Sequence, residues 1–140
     1  MYKKRNFTLV EILIVVGIIG LLTAIALPVY LDHMKKARVS AAQAQISVLH
    51  QAVTSFSMDM KRIPDANVGL AELLENSGSS DKWKGPYLEV YELPKDPWDN
   101  DYVYVVDNNG RFEIISYGAD GQPGGENDNA DISNRGIKKK

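Results

Sequence analysis

The chain has 140 residues, 16 Lys and Arg against 18 Asp and Glu, and no cysteine. That length accommodates one small domain and a long helix rather than two sizeable cores. The lack of cysteine excludes a disulfide framework, a thiolate nucleophile and a thiolate metal site, and His33 and His50 lack the HExxH spacing of a zinc helix.

Charge is unevenly spread. Lys3, Lys4 and Arg5 open the chain and Arg135, Lys138, Lys139 and Lys140 close it, while every acid lies between. An acidic body argues against a nucleic-acid surface, which needs a basic stripe.

From Phe7 to Leu31 the sequence reads FTLVEILIVVGIIGLLTAIALPVYL, with Glu11 as its one charge. As a helix this run is roughly 37 Å long, enough to cross a hydrocarbon core of about 30 Å. The basic residues before it predict a cytoplasmic N-terminus, with everything after Leu31 outside. A secretory signal peptide would use Lys3–Arg5 as its basic region and Ala24-Ile25-Ala26 as its cleavage site. A carboxylate early in the apolar run, and a helical pattern that continues past Ala26, favour a retained anchor.

Beyond Pro28 the pattern becomes amphipathic: Ile46, Leu49, Val53, Phe56 and Met60 form one apolar stripe among Gln43, Gln45, Ser47, Gln51, Thr54 and Asp59. The spacing predicts one helix from about Thr8 to about Met60, ended by Pro64. Pro28 lies inside it and predicts a kink or local unwinding.

The remainder reads as a small antiparallel sheet domain. Gly69–Asn76 (GLAELLEN) predicts a short helix, and LPKDPWDN (Leu93–Asn100) a turn-rich bridge. Tyr102–Val106 and Arg111–Tyr117 predict strands joined by a hairpin turn at Asp107–Gly110. The fold class is α+β, a long N-terminal helix packed on the sheet. Trp83, Tyr87, Trp98 and Phe112 read as core. No nucleophile elbow, supported Ser/His/Asp set or phosphate loop is present, so the chain is not an enzyme on this reading.

One loop stands out. GADGQPGGENDNADI, from Gly118 to Ile132, carries Asp120, Glu126, Asp128 and Asp131, with no cation and four glycines. Oxygen donors on a bendable backbone suit calcium, which takes 6–8 oxygens in flexible geometry. Without a cation these carboxylates repel one another. The spacing departs from the EF-hand pattern, and a solvated acidic turn is the plainer alternative.

The N-terminus KKRNFTLVEILIVVGIIGLL, followed by ALP, resembles the type IV pilin-like signal and helix. GPYL (Gly85–Leu88), LPKDPW (Leu93–Trp98) and ISYGADGQPGGENDNADIS (Ile115–Ser133) are similar to the G-type major pseudopilins of type II secretion systems. The resemblance implies a leader over 1–6, a membrane half of the helix over 7–31, an amphipathic half over 32–62 and a globular domain over 63–140 with its acidic loop at 117–133. It implies cleavage by a prepilin peptidase between Asn6 and Phe7 and N-methylation of Phe7, although Asn6 stands where the family has glycine. It assigns subunit assembly to Glu11, whose carboxylate would meet the amine of a neighbouring copy.

The same resemblance implies that the last loop binds calcium. Side chains of Asp120, Asp128 and Asp131 and carbonyls of Tyr117 and Gln122 would be the donors, with Asn129 competing at the loop's end. The implied partners are other copies of the chain, minor pseudopilins, the prepilin peptidase, the inner-membrane assembly platform and lipid. The implied location is the inner membrane, then a periplasmic filament that exports folded proteins. The alternatives are a type IV major pilin forming a surface filament for adhesion or motility, a minor pseudopilin at a filament tip, and a membrane-anchored hydrolase.

Overall fold

The computed structural model describes residues 7–138. The chain forms two compact units, one up to Lys36 and one from Ala37 onward. Helix α1 (Leu9–Met60) belongs to both and is continuous through Pro28.

The first unit is helical from Leu9. Thr8 begins it as an N-cap, its Oγ1 accepting the Glu11 N–H at 3.2 Å, and Glu11 places a carboxylate in the positive first turn. Its apolar residues have nothing to pack on: Leu9 is 77% exposed and Leu31 49%. An 18-residue window here has mean hydropathy 2.8 and no buried residue, so the helix is long and apolar enough to cross a membrane. The Thr23 hydroxyl donates back to the Ile19 carbonyl at 2.8 Å and hides its own polarity in the helix.

In the second unit α1 turns one face inward. Ala42, Ile46, Leu49, Ala52, Val53 and Phe56 are all buried. They pack with Leu70, Leu73, Leu88, Ile114 and Ile132 in one core. The sheet is an antiparallel meander in chain order: β1 (Val103–Val106), β2 (Phe112–Ser116), β3 (Asp131–Ser133) and β4 (Gly136–Lys138). The β1–β2 turn closes as its sequence predicts, with the Gly110 N–H on the Asp107 carbonyl. The acidic loop connects β2 to β3, so both of its ends are fixed by sheet pairing.

Two details differ from the sequence expectation. Gly69–Asn76 forms only a five-residue 3-10 turn, Gly69–Leu73. It begins at Gly69 with φ +66° and goes no further than Leu73, whose carbonyl accepts the Tyr87 N–H at 2.8 Å instead of continuing a helix. The tail after the acidic loop, to which the sequence assigns no element, pairs as the β3–β4 hairpin.

Aromatic residues fasten the sheet domain to the helix as predicted for core positions. Trp83, Tyr87, Trp98 and Phe112 are partly buried against the core. Their polar tips and those of neighbouring tyrosines find partners: Trp83 Nε1 on the Glu72 carbonyl, Tyr87 on Asp59, Tyr102 on Gln45 and Tyr104 on the Pro64 carbonyl. Burial pushes the Tyr104 hydroxyl up to about 12, so it remains a donor at any physiological pH.

Just past the C-terminal end of α1, Arg62 makes a bidentate pair with Glu72 at 2.8 and 3.1 Å and lies 5.2 Å from the centre of the Phe56 ring. Glu72 is 5% exposed and also accepts the Asp65 N–H at 3.2 Å. One carboxylate thus holds the helix exit, the turn through Pro64 and the 3-10 segment together. Glu72→Ala strands a guanidinium and a backbone donor, and is expected to cost about 1–3 kcal/mol. The fall in urea midpoint against the unchanged chain measures this, and an unshifted midpoint would remove the latch role.

Candidate functional site

The chemistry-bearing residues lie in two places, the start of α1 and the β2–β3 loop. At the first, Phe7 is 71% exposed just before the helix, and Glu11 sits one turn in among exposed aliphatic side chains. The expected cleavage position Asn6 lies outside the described residues. Pro28 stands far along the same helix, well separated in sequence from both places.

The loop is built from two short turns folded on one another. β2 ends at Ser116, Tyr117 leads into a 3-10 turn at Gly118–Asp120, and Gly121 reverses the chain at φ +64°. The Asp120 carboxylate accepts the Gln122 N–H at 3.1 Å, an Asx turn. A second 3-10 turn, Asn127–Asn129, lies against the first. The approach is close: a Cβ on Gly118 would lie 2.5 Å from the Asp128 carbonyl oxygen, and one on Gly125 would strike the Asn129 carbonyl. Gly118 also needs φ +67°, so only glycine fits there.

Of the predicted donors, Asp120 and Asp128 are therefore carried on two turns packed together. Asp131 differs: it is 8% exposed, and its carboxylate accepts the Gly124 N–H at 2.9 Å. It closes the loop from inside as the first residue of β3. Tyr117 and Gln122 flank the first turn. Among the described residues no three of His, Cys, Asp and Glu gather in a metal-holding group.

A second set of residues, missed by the sequence reading, positions this loop. Asp96 is 5% exposed and accepts three hydrogen bonds: from the Trp98 and Asn100 amides at 3.0 and 2.8 Å, and from the Ser116 hydroxyl at 2.6 Å. The Asn100 amide group then donates to the Gly118 carbonyl at 2.8 Å, and its oxygen lies beside Gly121. The DPWDN turn thus grips both the end of β2 and the first turn of the loop. Its sequence announces a turn, but not which segment that turn will hold.

Comparison with known proteins agrees with this architecture. The family profile described as "Type II secretion system (T2SS), protein G" matches residues 29–135, and that of the "Prokaryotic N-terminal methylation motif" matches residues 1–27. The type II secretion system core protein G of Vibrio cholerae is 36% identical over 99% of this chain and 96% of its own length. The Pseudomonas aeruginosa protein of the same name is 34% identical over 94% and 95%, and that of Escherichia coli is 36% identical over 99% and 95%. The crystal structure of the major pseudopilin from the type 2 secretion system of enterohaemorrhagic Escherichia coli shares the fold. Its TM-score is 0.59 at 24% identity, covering 74% of this chain and 91% of that one. A profile over most of the chain and end-to-end relatives above 30% identity place this protein in the type II secretion system protein G family.

Proposed function

We propose that the chain is the major pseudopilin subunit of a type II secretion system, a structural protein that polymerises into a periplasmic filament and drives folded proteins across the outer membrane. The observation that carries this is the first part of α1, apolar and exposed on every side up to Leu31, with a single carboxylate near its start. Lipid covers such a surface before assembly, and other copies cover it afterwards. Glu11 suits only a setting that supplies a cation, because an unpaired charge at membrane depth is expensive. Cleavage between Asn6 and Phe7 frees an amine within one turn of Glu11 in sequence, and the amine of a neighbouring copy is the natural counter-ion. Minor pseudopilins, the prepilin peptidase and the inner-membrane assembly platform are the remaining partners, and the basic N-terminus faces the cytoplasm.

Calcium at the β2–β3 loop completes the reading. The donor set supports it in part. Asp120 and Asp128 sit on two turns in contact, and the Tyr117 and Gln122 carbonyls border the first of them. With fewer than three acids converging, backbone carbonyls and water would supply the remaining oxygens, which calcium accepts. The ion would offset the loop's negative charge and hold the two turns together, while Asp131 keeps its bond to Gly124.

Three outcomes test this. The mature chain is expected to begin at an N-methylated Phe7, read by mass spectrometry; an intact Met1 in assembled material would refute the processing step. Glu11→Ala is expected to insert normally but to lower filament number and secretion at least tenfold, whereas filaments equal to those of the unchanged chain would defeat the counter-ion role. Calcium at 100 times its Kd adds about 2.7 kcal/mol. Chelation should therefore lower Tm by roughly 10–20 °C, taking about 4–8 °C per kcal/mol for a domain of this size. Asp120→Ala should abolish that response, and equal Tm with and without chelator would remove the ion from the account.

A further inference from the structure

We propose that the globular units of successive copies dock head to tail, with the acidic, aromatic-tipped loop Glu89–Glu92 of one copy seated in a basic groove beside β2 of the next. This rests on the filament reading and adds to it the surface that sets how neighbours meet.

The groove holds about 430 Å³ and opens to solvent between the amphipathic half of α1 and the β1–β2 turn. Its apolar lining includes Ile63 and the Phe112 ring, which lies 5.1 Å from the His50 ring. Its walls carry His50, Thr54, Arg111 and Arg135. Arg135 reaches Asp107 at 3.6 Å, while Arg111 has no ion pair among the described residues. A groove lined by an aromatic ring and two guanidinium groups suits a ligand with a flat apolar tip and flanking carboxylates, because guanidinium binds carboxylate in a bidentate fork and stacks on rings.

The chain carries such a ligand. Tyr91 is 104% exposed and Val90 47%, in a domain whose other aromatic residues are packed or half-buried. Glu89 and Glu92 flank them, and neither has a basic partner among the described residues. Tyrosine and arginine are the residue types that anchor interfaces. The surface around this loop, lined by Leu74, Pro86, Leu88 and Tyr91, shares no residue with the groove. Two different patches that complement one another make a heterologous contact, which propagates as an open helix when its rotation does not close.

The absence of cysteine gives a clean test in the full-length chain, in its native membrane with the secretion machinery present. Val90→Cys with Thr54→Cys in one chain is expected to give a ladder of cross-linked multimers on mild oxidation. The two single variants mixed should stop at dimers, and each alone should give no cross-link. Arg111→Glu should lower the cross-linked fraction at least fivefold, and Glu92→Arg added to it should restore at least half. Filaments visible by electron microscopy but without the ladder would overturn the docking proposal and leave the filament reading standing. A ladder formed instead by Glu126→Cys with Thr54→Cys would overturn it in favour of the acidic β2–β3 loop as occupant. No filaments from the unchanged chain would overturn both.

Discussion

The structure depends on one helix asked to satisfy two solvents. Up to Leu31 α1 is apolar on every side, and from Ala42 it is apolar on one side only. The second half has a folded partner, and burying six of its residues against the sheet domain supplies the main driving force for that unit's core. The first half has none. A surface of this kind is covered by lipid or by other apolar helices. In lipid, apolar contact provides little net drive for helix association, so polar contacts and close packing must decide it. Glu11 is the one charged side chain in the segment, so its proposed pairing with a neighbour's amine would be the contact with most energy at stake.

Much of this was legible in the sequence, because the relevant signals are local and periodic. The start of the apolar run near Thr8, the stripe through Ile46, Leu49, Val53 and Phe56, and the stop near Pro64 fix the helix to within a residue or two. Ala42 and Ala52 escaped notice, since a small residue on an apolar face looks like any helix former. β1 and β2 were visible from alternation and from their Asp-Asn-Asn-Gly turn. β3 and β4 were not, as three residues each are too few to show a period of two, and they follow a segment rich in glycine and acid.

The acidic loop shows a different limit. Its composition announced oxygen donors, but composition cannot say which carboxylates face inward. Asp131 is committed to the Gly124 amide, and the element that holds the loop in place, the Asp96 turn, contacts Ser116 twenty residues away in sequence. Buried networks of this kind specify shape because each member is satisfied only by the others. Asp96 satisfies two amides of its own turn and a hydroxyl of the central strand, and Asn100 passes the constraint to Gly118. The loop's first turn is therefore positioned by protein contacts, and a cation would act on a partly organised frame.

A filament built from such subunits has a register problem. Apolar helix surfaces attract without direction, and a smooth aliphatic helix slides past its neighbour at little cost. Register needs features that are wrong everywhere except at one offset. The proposed pairing of the Glu11 carboxylate with a neighbour's amine would be one such feature. A second is needed in the outer layer, where water weakens charge pairs and shape must share the task. The groove between α1 and β2 joins arginines to the Phe112 ring, and the Glu89–Glu92 loop joins acids to an exposed tyrosine. Two such directional contacts, far apart along the chain as proposed, would fix both the rise and the rotation between neighbours, which neither would fix alone.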